Sequence, residues 1–370
     1  MELKLKVSKL KEYFNILSSI KQSNTLPILE YTLIEVKDNK ITYINTNLEN
    51  TIKITDDYEN EDIEFLIETQ KIKQLLSNIN SEEIIFDISK DKIEIIDAFD
   101  SYKFPINNIS EFPINPKFDK EEIKTLTIQG TELRKALYKT INFTSNDDLR
   151  PIMTGILFKE EDSKINIVST DAHALGKYVT DIEIDEGFNT VINKELAKTL
   201  LKTKYSDIFH FFSNEKYTVL SYDNVKIFST NIEGKYPNYN SVIPKKENFK
   251  ANPIIDKEDF INALKKVDIS ANKAAHTTLL TFKEDSFFIN TENIDFGESS
   301  KVKLACNNIP EEKIIIGINN NILMTGLNTF NSDNIKLNII DPTKAMVIEP
   351  VDSDEDYIFL IMPLMISNND

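Results

Sequence analysis

Three stretches of the chain repeat one pattern, and this repetition limits the fold more than any other feature. Each stretch has an apolar segment, a short acidic turn and a second apolar segment that ends in Thr followed by Asn, Asp or Glu; the stretches span 26–49, 150–173 and 276–295. Thr46, Thr170 and Thr291 mark the ends and follow one another at intervals of roughly 120 residues, the length of a domain rather than of a solenoid repeat. The 370 residues therefore predict three domains of similar fold.

The predicted helices and strands recur in the same order in each copy. Apolar residues at i, i+3, i+4 spacing predict one helix before each repeated stretch and one after it, at 9–21, 69–79, 131–142, 193–203, 257–270 and 319–330. Segments with alternating apolar and polar residues surround these helices and indicate strands. The predicted fold class is α+β, with two helices against antiparallel sheet in each domain and domain limits of 1–119, 120–247 and 248–370.

Composition is that of a soluble globular chain, with 41% hydrophobic and 28% charged residues. No apolar run approaches the roughly 20 residues of a membrane helix, and the first residues show no signal-peptide pattern. One cysteine, Cys306, excludes an internal disulfide framework and a Cys-based zinc site. We therefore expect a cytoplasmic protein.

Motifs of catalysis are missing from the sequence. The 8 glycines never form a dinucleotide-binding or P-loop pattern, and the three histidines have no metal-ligand spacing. We expect no metal, no cofactor and no enzymatic activity. One alternative is a hydrolase in which Asp171 orients His173 as a base, although no nucleophile or oxyanion loop accompanies that pair.

The lysines are distributed unevenly in a chain of net charge −17. Five of the six predicted helices carry Lys or Arg on their polar sides, whereas 319–330 has none. Solvation of separate helix faces is the simpler interpretation, but repetition favours a common basic surface, of the kind that attracts nucleic-acid phosphates. The predicted DNA-facing residues are Lys21, Lys71, Lys73, Arg134, Lys139, Lys194, Lys198, Lys202, Lys265 and Lys266.

Four short segments resemble, in order and spacing, the bacterial sliding clamp family, the beta subunit of DNA polymerase III. They are LPIL at 26–29, TDAHAL at 170–175, GKYPNYNSVIP at 234–244 and MPL at 362–364. The resemblance implies a head-to-tail dimeric ring of six similar domains, with sheets outside and helices around duplex DNA. A ring of this kind holds DNA by topology, without reading bases, and gives a polymerase processivity. An adaptor that binds partners without encircling DNA is the alternative, since the sixth helix lacks lysine.

The resemblance also implies a cleft between the second and third domains. There the family docks the DNA polymerase III alpha subunit, the clamp loader and repair proteins through a short linear motif with a leading Gln and trailing Leu and Phe. Met and Leu side chains adapt to an inserted residue, and a turn offers backbone hydrogen bonds. The cleft residues implied here are Thr170, Ala172, His173, Ala174, Leu175, Pro237, Val242, Met346, Leu360, Met362 and Leu364.

For the dimer, the resemblance implies pairing of an edge strand at 102–106 with the third domain of another chain. Phe104 and Ile106 would then pack on Ile269.

The chain departs from the family pattern at several positions. Ala172 stands where the family commonly has Gly, Ala174 where it has Arg, and Ser241 where some members have a second Arg. The chain also continues past MPL with residues 365–370, and Lys21 is the nearest substitute for an Arg that reaches DNA. These changes predict a less basic cleft with a different peptide preference.

Overall fold

The computed structural model describes residues 1–21, 26–113, 123–184, 187–203 and 207–366, and all six predicted helices are present in these ranges. The first ends earlier than predicted, because the hydroxyls of Ser18 and Ser19 donate to the carbonyls of Asn15 and Ile16 and compete with the helical hydrogen bonds. The helices are α1 (Val7–Leu17), α2 (Thr69–Asn78), α3 (Gly130–Thr140), α4 (Lys194–Lys202), α5 (Lys257–Asp268) and α6 (Asn320–Leu327).

Strands surround these helices, and their pairings within the described ranges are antiparallel. They are β1 (Glu2–Lys6), β2 (Tyr31–Lys37), β3 (Lys40–Thr46), β4 (Asn50–Asp57), β5 (Ile63–Glu68), β6 (Glu83–Ile88), β7 (Lys92–Asp97), β8 (Asp100–Pro105), β9 (Lys124–Gln129), β10 (Gly155–Glu161), β11 (Lys164–Thr170), β12 (Ala174–Glu183), β13 (Asn189–Asn193), β14 (Ile208–Ser213), β15 (Tyr217–Tyr222), β16 (Val225–Thr230), β17 (Ile254–Asp256), β18 (Thr277–Lys283), β19 (Ser286–Asn293), β20 (Glu298–Leu304), β21 (Ile314–Asn319), β22 (Asn334–Asn338), β23 (Met346–Pro350) and β24 (Tyr357–Ile361).

The three repeated stretches form the hairpins β2–β3, β10–β11 and β18–β19. In each hairpin both turn residues have positive φ, the geometry of the tight turns that match strand twist. Asp and Asn tolerate this conformation better than most residues, and each turn contains at least one of them. The turn pairs are Asp38–Asn39, Asp162–Ser163 and Glu284–Asp285.

Three helices begin at a side-chain cap that the sequence supplies. Asn193, Asp256 and Asn319 each accept a hydrogen bond from the backbone N–H three residues on, over 2.7, 2.8 and 3.1 Å. Such caps satisfy one of the free N–H groups at a helix start and are worth about 1 kcal/mol each. They fix the first residues of α4, α5 and α6.

The chain divides into two compact units, of which the first comprises residues 1–134 and 190–232. Its larger sheet has the strand order β5-β2-β3-β4-β16-β15-β14-β9, and its smaller sheet has the order β1-β6-β7-β8. The buried rings of Phe14, Tyr43, Phe65 and Phe86 belong to the core of this unit. The predicted boundary at 119/120 lies outside the described residues.

The second unit comprises residues 135–189 and 233–370. It contains the strand series β10-β11-β12-β24-β23-β22-β17 and the sheet β20-β19-β18-β21. The rings of Phe143 and Phe359 stack with centroids 5.0 Å apart. Gly176 allows this stack, because a Cβ there would lie 2.6 Å from the Phe143 ring. Each unit is therefore an α+β assembly with its own aromatic core, as the fold class predicted.

Candidate peptide cleft and nucleic-acid interface

The TDAHAL segment is a tight turn held by two of its own side chains. The Thr170 hydroxyl donates to the carbonyl of Ala174 over 2.7 Å and accepts from the N–H of Ala172. Oδ1 of Asp171 accepts from the N–H groups of His173 and Ala174 over 2.8 and 2.7 Å. Oδ1 of Asp171 is therefore occupied by backbone donors, and among the described residues Asp171 makes no hydrogen bond to the His173 ring.

Ala172 adopts φ +76° at the tip of this turn. The left-handed region costs an L-residue with a Cβ roughly 1 kcal/mol and is free of that cost for Gly. Ala172, which stands where the family commonly has Gly, is therefore at the residue of this turn whose backbone conformation favours Gly. The turn keeps its shape because its side-chain hydrogen bonds hold it.

The last strand lies directly beside the turn. Strand β24 pairs with β12 so that Leu360 is opposite Leu175, and the N–H of Met362 donates to the carbonyl of His173 over 2.8 Å. Two residues later the N–H of Leu364 donates to the carbonyl of Gly317. The sequence signals TDAHAL and MPL, far apart in the chain, therefore form one surface.

A further wall of this region is the segment 236–242, which β10 holds in place. Glu161 accepts hydrogen bonds from the hydroxyl of Tyr239 over 2.7 Å and from the Asn240 amide. Burial raises the pKa of Glu161, but hydrogen bonds from Lys159, Tyr239 and Asn240 outweigh it and leave the pKa below its ordinary value. An ionised Glu161 thus anchors the segment that carries Pro237 and Val242.

The predicted cleft residues fall into two groups by exposure. Ala172, His173, Pro237, Val242 and Met362 are exposed, with 49% of Val242 and 38% of Met362 accessible, and Leu364 is half-buried. The predicted set therefore combines surface residues with residues of the core beneath them. The side chains in the core or almost buried are Thr170, Ala174, Leu175, Met346 and Leu360.

In the first unit, lysines from α1, α2 and α4 surround a groove of about 590 Å³. Nζ of Lys73 donates to the Ser18 hydroxyl over 2.8 Å, and Nζ of Lys11 donates to the carbonyl of Ile79 over 2.7 Å. Lys202 lines the same groove and is exposed. The predicted DNA-facing set does not include Lys11, although the apolar spacing of the first helix places Lys11 on its polar side.

Lys139 does not belong to a DNA-facing surface, and that prediction is wrong. Its side chain is fully buried, with Nζ 2.7 Å from a Glu355 oxygen and 2.9 Å from the carbonyl of Thr329. Desolvation lowers the pKa of Lys139 despite the Glu355 carboxylate. A lysine without solvent exposure cannot reach a phosphate.

The other predicted basic residues differ in their exposure and in their ion pairs. Lys71 and Lys198 pair with Glu68 and Glu195 three residues earlier in the chain, and such exposed pairs contribute little to stability. Burial lowers the pKa of the half-buried Lys194. Arg134 is half-buried, whereas the exposed members are Lys21, Lys202, Lys265 and Lys266.

The residues predicted for a chain-to-chain contact lie at free sheet edges. Strand β8 ends the series β1-β6-β7-β8, and β20 ends the series β20-β19-β18-β21. Phe104 is half-buried, whereas Ile106 and Ile269 are 37% and 81% accessible. Ile269 lies beside the β20 edge, because the adjacent Ser270 hydroxyl is 2.7 Å from that of Ser300.

The described parts of the chain contain no group of three or more His, Cys, Asp or Glu side chains placed to hold a metal ion. In the same parts, none of the helices is both long and apolar enough to cross a membrane.

Three α+β repeats with free sheet edges and lysine-bearing helices define a protein of the DNA-clamp class. The three domain models of the DNA polymerase III beta subunit match in order: the N-terminal domain at 3–116, the central domain at 127–238 and the C-terminal domain at 240–365. The chain belongs to the DNA polymerase III beta subunit family. Because this family is a non-enzymatic processivity factor, the hydrolase interpretation of Asp171 and His173 is set aside.

Individual relatives are similar to this chain over nearly its whole length. The beta sliding clamp of Staphylococcus aureus is 21% identical over 364 residues, covering 94% of each chain. The beta subunit of Thermotoga maritima superposes with a TM-score of 0.90 at 20% identity, and the sliding clamp of Bacillus subtilis with 0.89 at 19%. Both comparisons cover 99% of this chain and 100% of the other. At these identities the structures show that the fold is shared.

Proposed function

We propose that two copies of this chain associate head to tail into a ring that encircles duplex DNA and tethers a polymerase to it. The observation that carries this proposal is the lysine groove of α1, α2 and α4 in a chain of net charge −17. A protein this acidic repels phosphate over most of its surface, so a local group of lysines favours DNA there. The proposed domain limits remain 1–119, 120–247 and 248–370, and the proposed compartment is the cytoplasm.

Ring closure in this proposal uses the two free edges. Strand β8 of one copy pairs with β20 of the other, and Phe104 and Ile106 pack on Ile269. Free backbone groups at sheet edges readily pair with another chain, and each fully buried apolar side chain adds about 1.5–3 kcal/mol.

Partner proteins dock in the cleft region of the second unit. The exposed His173, Val242 and Met362 give a mixed polar and apolar surface beside the turn, which suits a short peptide with apolar trailing residues. The partners that fit the family are the DNA polymerase III alpha subunit, the clamp loader and repair proteins. Ala174 and Ser241 leave this surface less basic than the family pattern, so acidic peptides gain less from it.

Retention on DNA of different topology tests the ring. Clamp loaded onto closed circular duplex should remain bound in moderate salt, and cutting the circle once should release it, because the hold is topological. Replacing Lys11, Lys73 and Lys202 together should weaken DNA binding without sequence bias, and the salt dependence should fall by about one unit for each phosphate contact that is lost. Equal retention on circular and linear DNA would contradict the proposal.

A further inference from the structure

A buried ion-pair cluster joins α3 to the loop before β24 inside the second unit. Glu355, in that loop, accepts from Lys139 over 2.7 Å and from Lys135 over 2.9 Å. The Lys139 ammonium also lies 4.6 Å from the centre of the Tyr357 ring. Lys135 and Lys139 of α3, in the predicted second domain, thus form ion pairs with Glu355 of the predicted third domain.

The repeat places a second lysine at the same point of α5. Leu133 and Leu137 are the buried core residues of α3, as Phe260 and Leu264 are of α5, and in both helices they are four residues apart. Lys139 follows Leu137 by two residues, and Lys266 follows Leu264 by two. Lys266 is exposed and makes no ion pair with any residue that the structure describes.

The loop that carries Glu355 also has a counterpart in the first unit. Glu355 precedes β24, the last strand of the run β22-β23-β24, and the turn 97–100 precedes the end of the run β6-β7-β8. Asp97 and Asp100 lie directly opposite each other across this turn. Neither forms an ion pair within the described ranges, and opposed like charges destabilise a hairpin.

The turn has a third unusual feature. Phe99, between the two carboxylates, is fully exposed at 102%. Aromatic side chains are enriched in protein–protein interfaces, so this ring is available for a contact with another chain. The cation that would balance Asp97 and Asp100 is missing from the described part of the same chain.

We propose that Lys266 of one copy binds the Asp97/Asp100 turn of a second copy, and so repeats between chains the contact that Lys139 makes within a chain. This inference rests on the proposed head-to-tail ring and adds to it a charged contact besides the edge strands. In this proposal Lys266 contacts the second copy instead of facing DNA as the sequence predicted. Lys265, one residue earlier, corresponds to the exposed Tyr138 and stays available for DNA.

Charge reversal in the full-length protein tests the contact. Lys266→Glu and Asp100→Lys should each weaken self-association at least about thirtyfold, since truncating one partner of a desolvated charge pair across an interface has effects of this size. Combining them should restore most of the affinity. The measurement is the dimer dissociation constant from sedimentation equilibrium, with circular dichroism as the check on folding.

Lys265→Glu is the matched control. It should leave the dimer dissociation constant unchanged and reduce the salt dependence of DNA binding by about one unit. If the unaltered protein is a single chain at every concentration tested, both the ring and this contact are wrong. If it is a dimer but Lys266→Glu leaves the dissociation constant unchanged, or the double variant is no tighter than the singles, the Lys266 contact alone is overturned.

Discussion

The turn after β3 and the turn after β11 have the same hydrogen bonds but different surroundings. In the first, the Thr46 hydroxyl donates to the carbonyl of Asn50, and Oδ1 of Asn47 accepts from the N–H groups of Glu49 and Asn50. Leu48 adopts φ +77° in the place where Ala172 adopts +76° in the second turn. The backbone geometry has been used twice.

The neighbours of the two turns differ in polarity. The N–H of Thr230 donates to the carbonyl of Glu49, as the N–H of Met362 donates to that of His173. The first turn therefore presents Glu49 and Thr230, and the second presents His173 and Met362. Since the two turns share their backbone hydrogen bonds, peptide binding at the proposed cleft must depend on the side chains around the second turn and not on the turn itself.

The largest expected effect comes from removing the side chain that holds each turn. Asp171→Ala leaves two backbone N–H groups without their acceptor, which should lower the free energy of unfolding by about 2 kcal/mol. Asn47→Ala should cost the same. Only Asp171→Ala should also weaken binding of a peptide with a leading Gln and trailing Leu and Phe.

Urea unfolding and fluorescence anisotropy with a labelled peptide measure the two quantities. If Asn47→Ala impaired peptide binding as strongly as Asp171→Ala, the functional difference between the turns would be refuted.

Exchanging the neighbours of the turns should have an intermediate effect. Met362→Thr makes the second site resemble the first and should weaken peptide binding about tenfold, or about 1.4 kcal/mol, because an apolar anchor is lost. Thr230→Met, the reverse exchange, should create no measurable affinity at the first turn. Isothermal titration with the same peptide checks both, and an unchanged affinity for Met362→Thr would place the peptide elsewhere.

Relieving the left-handed residue should have the smallest effect. Ala172→Gly and Leu48→Gly should each raise the free energy of unfolding by about 0.5–1 kcal/mol, since Gly adopts positive φ without a Cβ clash. Peptide affinity should change little, because the turn keeps its hydrogen bonds. Thermal unfolding measures the gain, and a loss of stability in both variants would show that the two turns are not strained.

Elements that depend on local sequence pattern could be predicted, whereas features that depend on contacts between residues remote in the sequence could not. The helices followed from apolar spacing, and the hairpin turns followed from residues that tolerate positive φ. The burial of Lys139 could not be predicted from local pattern, because its partner Glu355 is remote in sequence. Leu360 and Met346 were assigned to the cleft from their segments, but strand pairing places them in the core.

Lys139 gives the second unit an internal chemical marker. An amine buried beneath Glu355 and Tyr357 is out of reach of acylating reagents and of modifying enzymes, whereas Lys265 is exposed to them. An opening of the loop before β24 would bring the amine into water, because Glu355 in that loop covers it. Acylation of Lys139 in the folded protein would therefore report that the packing of this loop on α3 had opened.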